Sequence, residues 1–424
     1  MLRRAFVLLL ATVSVAGCVG PYTPPPPQGY RPPPPLPGVP PGRPPAPGFV
    51  QRQTNPNRVA ILLPLTGPNG DIGQAMLHAA QLALPDGGTP VLDPHDTSGT
   101  PDGAARAARE AIAAGDGLIL GPLTSAETAA VAPVAREAGV AVLAFTNDPH
   151  QAQPGVWTMG ITPTEQVRRL LIAAQAQNKG HAAALLPNTD FGHALGDAMT
   201  QAAASLNLPT PDVRYHETGM GAINTAVREL SNYGGRRGPI EAQIKASRLL
   251  GTPEGRRRAQ ELARAHIPPP PFDTLLLADT GEALGEIATM LPYYDVDPGA
   301  VQILGPAQWL AAGSGANAMT GAWYAAPDPA SRSAFEAEYA AKNGSPPPAI
   351  ADLAYDAATA ARALSSGPGG FSIGALTQPA GFAGADGWFV LLADGAVRRG
   401  LAVFRLDRGG ASMMELAPAR APGT

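Results

Sequence analysis

Chemistry in a protein needs a nucleophile beside a base, a set of metal ligands, or donors gathered for an ion, so those residue types are the first to place. The seven histidines, His78, His95, His150, His181, His193, His216 and His266, are scattered, without HExxH or a comparable ligand pair. There is no GxSxG elbow, and Gly313-Ser314-Gly315 reads as a loop. Asp93-Pro94-His95-Asp96 is the densest polar cluster; after the short apolar pair Val91-Leu92, and between Pro94 and Gly99, it reads as a turn or interlobe loop rather than a metal site. No nucleophile stands beside a base, so neither catalysis, nor a metal, nor a cofactor is expected. Binding has more support. Gly121-Pro122-Leu123-Thr124-Ser125 follows a buried strand and opens a helix, aiming backbone N–H groups and a hydroxyl outward, a geometry that suits a carboxylate. The same Ser125 also fits the commoner role of an N-cap. Phe145-Thr146-Asn147-Asp148-Pro149 likewise follows a strand end, where open α/β sheets hold ligands.

The elements that position these loops alternate. Short apolar runs at Val59–Leu63, Val91–Leu92, Leu118–Leu120, Val140–Phe145, Ala182–Leu186, Thr274–Ala278 and Val301–Leu304 are separated by Ala-rich helical stretches. Ser125 ahead of Ala126–Arg136 and Thr164 ahead of Val167, Leu170, Leu171 and Ala174 are the expected caps. The rhythm predicts an α/β protein with parallel sheets flanked by helices. With 424 residues, 45% hydrophobic and only 5% aromatic, the chain has a core for two lobes. A net charge of -4, with no basic patch interleaved with aromatics, sets nucleic acid aside. The "LPLTG" at Leu63–Gly67 matches a sortase tag but lies far from the C-terminus, and reads as a strand running into a Gly-rich loop.

The N-terminus carries other information. Arg3 and Arg4 precede an apolar run, Ala5 to Val15, too short to span a bilayer and laid out as a signal peptide over residues 1–17. Val15-Ala16-Gly17-Cys18 resembles the lipobox of bacterial lipoproteins, which implies cleavage before Cys18 and lipidation of its thiol; the alternative is an ordinary signal peptide with a chance cysteine. Cys18 is the one cysteine, which excludes internal disulfides. From Pro21 to Val50 fifteen of thirty residues are proline and none is acidic, so residues 18–56 are expected to be an extended tether. At about 3.1 Å per residue it reaches roughly 90 Å. Residues 234–271 break the β-α rhythm: helix candidates Pro239–Leu250 and Pro253–Ala265 form an inserted hairpin. Between Arg236 and Arg264 eight Lys or Arg face three Glu, a net of +5. Arg256, Arg257 and Arg258 are its candidate partner surface, or else simply solvate an exposed helix.

The ordered set "ILLPLTGPNGDIGQAMLHAAQLAL", "GPLTSAETAAVAPVAREAGVAVLAFTNDP", "VWTMGITPTEQVRRLLIAAQAQNKGHAAALLPNTDFG", "FDTLLLADTGEALGEIATML" and "AIADLAYDAATAARAL" resembles the type I periplasmic-binding fold in its leucine/isoleucine/valine-binding branch. The resemblance implies two lobes joined by three crossovers: 57–160 with 321–378, and 161–320 with 379–410, leaving 411–424 as a tail. It implies a ligand cleft in which Thr66 and Gly67 face the gap. Ser125 and the Ala144 to Thr146 loop would supply ligand groups, Phe191 the aromatic, and Asp279 and the loop at Gln308 the second-lobe contacts. Where the family often has tyrosine and a carboxylate for the ligand's ammonium, this chain has Phe191 and the uncharged Gln308, leaving Asp279 as the candidate counter-charge.

The lipobox, the tether and the basic insertion, with "LPYYDVDPGAVQILGP" and "GFAGADGWFVLLADG", resemble the lipoproteins described as penicillin-binding protein activators. That resemblance implies a non-enzymatic partner of a peptidoglycan synthase, with Val19 after the cysteine fitting an outer-membrane anchor. The alternative is a substrate-binding protein of an ABC transporter for branched-chain amino acids or amides.

Overall fold

Val59 to Leu63 is fully buried, as a strand covered by helices on both faces must be. The computed structural model describes residues 49–52, 55–310 and 318–418, so the signal-peptide and Cys18 expectations, and nearly all of the tether, fall outside the described residues. Both lobes lie within one compact unit. In the first, β1 (Arg58–Leu63), α1 (Gly70–Ala83), β2 (Val91–Asp96), α2 (Pro101–Ala114), β3 (Leu118–Leu120), α3 (Ser125–Ala138), β4 (Ala141–Ala144) and β5 (Val156–Thr158) build a parallel sheet in the order β2-β1-β3-β4-β5. The period of two along β1 sorts the core: Val59, Ile61 and Leu63 pack towards α1, whereas Ala60 and Leu62 pack towards α2 and α3.

The chain then crosses to the second lobe, through α4 (Pro163–Ala176), β6 (Ala182–Pro187), α5 (Asp190–Ser205), β7 (Asp212–His216), α6 (Met220–Leu230), α7 (Tyr233–Leu249), α8 (Pro253–Ala263), β8 (Thr274–Leu277), α9 (Gly281–Tyr293), β9 (Gln302–Leu304) and β10 (Trp323–Ala326). It returns as α10 (Pro329–Asn343), α11 (Ala351–Ser365) and α12 (Ile373–Leu376), adds β11 (Phe382–Gly384), β12 (Gly387–Leu391) and β13 (Val397–Arg399), and crosses a third time into β14 (Ala402–Asp407) and β15 (Gly410–Glu415). The second sheet runs β15-β14-β10-β9-β8-β6-β7, with β14 antiparallel to β10 and β15 antiparallel to β14. This is the expected two-lobed α/β architecture with three crossovers.

Several boundaries differ from the sequence reading. Trp323–Ala326 pairs with β9 and β14, so the return to the first lobe comes at Pro327, not at residue 321. Residues 379–410 do not all belong to the second lobe: β11 to β13 form a small antiparallel sheet whose Phe382, Phe389, Leu391 and Val397 join the first-lobe core. Residues 411–415 of the expected tail are part of an edge strand; its mostly exposed face carries no apolar signal. Asp93-Pro94-His95-Asp96 is strand, not turn; β2 is an edge of its sheet, where Pro94 costs no ladder bond that the core needs. The helical hairpin begins six residues earlier than Pro239, because Asn232 turns the chain in the left-handed region and Tyr233 packs edge-on against Tyr294, with ring centroids 5.1 Å apart.

Candidate functional site

The loops after β3 and β4 open a cavity of about 610 Å³ at the C-terminal ends of the first sheet. Gly121 makes the first turn possible: it has φ +86, and a Cβ there would sit 2.4 Å from the Leu62 carbonyl. Thr124, not Ser125, then caps α3, in a capping box where Glu127 Nα–H donates to its hydroxyl oxygen at 3.3 Å and the Thr124 N–H donates to the Glu127 carboxylate at 3.0 Å. Glu127 is itself held by the Thr97 hydroxyl at 2.6 Å. Likewise Thr162, not Thr164, caps α4, with Pro163 at its first position.

With the cap supplied by Thr124, the Ser125 hydroxyl is free to point into the cavity, and it donates to the carboxylate of Asp148. Asp148 also accepts from the His150 N–H at 2.9 Å, the His150 ring and Gln151, while its own N–H donates to Thr146 Oγ1 at 3.1 Å. Partial burial alone pushes its carboxyl up, but the bonds from Ser125, His150 and Gln151 outweigh this and hold it below the usual carboxylate range. A protein carboxylate therefore occupies the donor that the sequence reading reserves for a ligand carboxylate.

The second lobe treats the expected counter-charge in the same way. Asp279 follows β8 and is 6% exposed; its Oδ2 lies 3.2 Å from Nε2 of His216, itself 5% exposed at the end of β7. The Asp279 carbonyl accepts from Trp309 Nε1 at 2.8 Å. Burial pushes the His216 imidazole down, yet the bonds to Asp279 and to the Glu217 carbonyl leave it raised, favouring an imidazolium–carboxylate pair.

The other expected site residues are dispersed. Thr66 is not among the residues lining this cavity; it donates to Asp96 at 2.6 Å, and Asp96 staples the β1–α1 loop by also accepting from Leu65 and Ser98. Ala144 is fully buried and gives its carbonyl to Met159 N–H at 2.7 Å. Thr146 lines the cavity. Phe191, 37% exposed at the start of α5, lines a second space of about 490 Å³ with Asp148 and His150 of one lobe and His193 of the other. Gln308 is exposed in a short 3-10 turn, Ala307–Leu310, and lines neither space.

The sequence reading missed the opposite wall of the cavity. Arg332 of α10 pairs with Asp352 of α11 and, at 3.1 Å, with Asp386, all three lining it. Behind them Arg399, fully buried at the third crossover, donates Nη1 to Asp356 at 2.8 Å, and Nε and Nη2 to the Met159 carbonyl on the first crossover at 3.1 and 2.8 Å. Asp356 also accepts from Ala385 N–H at 2.6 Å, where a Cβ on Gly384 would lie 2.0 Å from its Oδ1. Glu165, in the first turn of α4, accepts from the Arg399 N–H at 3.4 Å. Burial, reinforced by the neighbouring Asp386 and opposed by Arg332, pushes Asp352 up to about 8; burial, opposed mainly by Arg399, pushes Asp356 to about 6. Two aspartates four apart in "ADLAYDAATAARAL" were the signal available: acids on the apolar stripe of a helix must be paired.

The basic hairpin projects from the second lobe. Arg256, Arg257 and Arg258 are exposed on α8; Arg256 donates to the Gly251 carbonyl at 3.0 Å and Arg257 lies 3.9 Å from Glu261. Arg236 is different: 8% exposed, it donates to the carbonyls of Tyr294 at 2.6 Å, Ser231 at 2.8 Å, Pro268 at 2.9 Å and Asp295 at 3.4 Å. Removing this buried charge from the +5 leaves +4 on the surface. At the hairpin tip Leu249 and Leu250 are 78% and 68% exposed, beside a groove lined by Arg237, Glu241, Lys245 and Arg248, three cations against one acid.

The profile of the family described as "Periplasmic binding protein" matches residues 56–411. Among solved structures, the C-domain of LpoA from Haemophilus influenzae, a regulator of PBP1A, superposes with TM-score 0.58 at 16% identity, covering 84% of this chain and 99% of that one. Full-length LpoA is matched over 60% of its length. A branched chain amino acid ABC transporter periplasmic ligand-binding protein from Burkholderia xenovorans gives TM-score 0.58 at 15% identity, covering 86% and 96%. At these identities the likeness is one of fold. A curated relative, an uncharacterized protein of Rickettsia prowazekii, is 25% identical over 175 residues, 41% of this chain and 47% of that protein, so the match spans about half the length of that relative.

Proposed function

The chain belongs to the periplasmic binding protein family, and from that premise we propose that it is a non-enzymatic periplasmic lipoprotein that regulates a peptidoglycan synthase by contact, rather than a receptor delivering an amino acid to a permease. One observation carries the reading: the two groups available for a zwitterion's ends are already satisfied, Ser125 by Asp148 and Asp279 by His216. An amino acid whose carboxylate sought Ser125 would meet Asp148, and one whose ammonium sought Asp279 would compete with His216. Each charged hydrogen bond is worth about 1.5–3 kcal/mol. Losing two therefore weakens binding by roughly 3–6 kcal/mol, about two to four decades in Kd.

Three features suit a contact-based regulator. Lipidation at Cys18 would anchor the chain, with the outer membrane as the favoured site, and the proline-rich stretch to Val50 would give the folded lobes their reach across the wall. The hairpin offers a partner an apolar tip within a cationic collar. The fold of the LpoA C-domain, a regulator of PBP1A, is shared with this chain.

The test has two arms. Calorimetric titration with leucine, isoleucine and valine is expected to show no binding tighter than millimolar; micromolar binding would overturn the reading in favour of ABC transport. Titration against a solubilised penicillin-binding protein is expected to show binding that Arg256→Gln, Arg257→Gln and Arg258→Gln together weaken and make less salt-sensitive, with little change in Tm. A parent protein that binds no synthase of its own cell refutes the regulator.

A further inference from the structure

Beneath α2, at the edge of the first sheet, three side chains from two segments converge. Asp93 and His95 are two apart on β2 and so share one face of the sheet, and Asp116 enters from the turn ahead of β3. Among the described residues these three form a group whose donor atoms all lie within 4.8 Å of one another. The Asp116 side chain is completely buried, and neither of its carboxylate oxygens accepts a hydrogen bond; His95 Nε2, buried beside it, is equally without one. A buried carboxylate without hydrogen bonds costs several kcal/mol; Arg58 Nε, 3.3 Å from Oδ1 and itself without a hydrogen bond, supplies charge but no bond, which leaves room for a second cation.

Distances indicate which cation. His95 Nε2 is 3.5 Å from Asp93 Oδ2 and 3.8 Å from Asp116 Oδ2. Both separations are too long for hydrogen bonds. They are close to the edge of about 3.4 Å in a tetrahedron whose centre is bonded to N and O at about 2.1 Å. A proton on His95 supplies a charge but no bond at these distances, whereas an ion between His95 Nε2 and either carboxylate fits the two edges, with the third donor within 4.8 Å of both. Arg58 stands outside the group, 2.6 Å from Asp93 Oδ2 and 3.3 Å from Asp116 Oδ1; Asp116, with Asp93 and Glu110, raises the pKa of His95 against the effect of burial, so a metal ion there displaces a proton from the ring. Glu110 lies 4.0 Å from Nδ1, on the side where metal-bound histidines keep an orienting acceptor. The Asp93 side chain is 29% exposed, which opens a path for an ion from the surface.

We propose that Asp93, His95 and Asp116 form a binding site for a divalent transition-metal ion of the zinc class, its fourth position open to water, which fastens the edge strand to the α2–β3 turn. One imidazole and two carboxylates suit zinc better than calcium or magnesium. None of the three lines either cavity, so the site is independent of the proposed function.

The test uses the full chain, stripped with a chelator and titrated with zinc chloride by calorimetry, with parallel melting curves. One equivalent is expected to bind at micromolar zinc, raising Tm in a manner reversed by EDTA, with one imidazole in the zinc-edge absorption spectrum. His95→Gln and Asp116→Asn should each weaken binding at least tenfold, while His266→Gln, at an exposed site elsewhere, should not. If Asp116→Asn fails to fold, the part-exposed Asp93→Asn replaces it. Absence of saturable binding by the folded parent, or binding unchanged in His95→Gln and Asp93→Asn, overturns the site.

Discussion

Replacing Arg236 by Ala should release the basic hairpin from the second lobe without unfolding the rest. Its guanidinium makes three bonds of 2.6 to 2.9 Å and one of 3.4 Å to backbone carbonyls that come from the α6–α7 turn, the segment after α8 and the end of α9. At about 1.5–3 kcal/mol for each charged bond, the three short ones amount to roughly 4–9 kcal/mol. Water reaching the freed carbonyls and relief of the arginine's own desolvation offset about half, leaving a net loss of about 3 kcal/mol. Local opening of α7 and α8 should then rise by a factor of about 150. The assay is native-state hydrogen exchange, read on amides of α7 and α8 against those of β1 and β6 as internal references. Arg237→Ala is the control: its side chain is 24% exposed and pairs with Glu241 only at 3.5 Å, a surface contact worth about 0.5 kcal/mol. Less than a fivefold loss of protection in Arg236→Ala, or an equal loss in Arg237→Ala, would refute the clamp.

The buried acids make stability depend on pH with an unusual sign: three buried carboxyls, Asp352, Asp356 and Asp386, share Arg332 and Arg399, and Arg332 is also engaged by the more exposed Glu336 at 3.3 Å, so carboxyls outnumber cations and a retained proton is favoured. With Asp352 pushed up to about 8 and Asp356 to about 6, against about 3.9 unfolded, their stabilising contribution is complete below about pH 4 and is lost as pH rises through those values. Melting temperature should therefore fall between pH 5.5 and 8.5, and Asp352→Asn should flatten that slope; a steeper fall in the variant refutes the assignment. Cys18→Ser should abolish incorporation of labelled palmitate and release the protein from membranes, and equal labelling of mutant and parent would remove the anchor. Deleting two-thirds of Pro21–Val50 should abolish envelope function while leaving the melting curve unchanged, whereas an unrelated proline-rich segment of equal length should restore it; full function of the short form rejects the tether as a spacer.

Short-range signals carried most of the fold. The buried runs at Val59–Leu63, Leu118–Leu120 and Thr274–Ala278 coincide with β1, β3 and β8 to within a residue, because strands covered on both faces have nothing to hide behind polar positions. Edge strands lack that constraint, and β2 and β15 stayed invisible in whole or part. Caps were legible in principle, since Thr124 and Thr162 each precede a glutamate by three residues, but the competing hydroxyls of Ser125 and Thr164 stand nearer the apolar run. What no local pattern holds is the partner of each polar group. Ser125 meets Asp148 across 23 residues, His216 meets Asp279 across 63, and Arg399 meets Asp356 across 43. Those three pairings decide whether the cleft has an unsatisfied charge to offer, so the site was readable as a place and not as a chemistry.

Arg399 gives the joint between the lobes a particular mechanics. Because its guanidinium grips the Met159 carbonyl and its N–H the Glu165 carboxylate, the first and third connectors are welded into a single bearing, with Asp356 as the rivet. The second connector, at Pro327, lines the same cavity as Gly160 and Ile161 of the first. The joint is thus cross-braced from within, by backbone and carboxylate groups of both lobes' connectors. The brace lies behind the cavity wall and is complete without a ligand, so the link between the lobes draws on nothing held in the cleft.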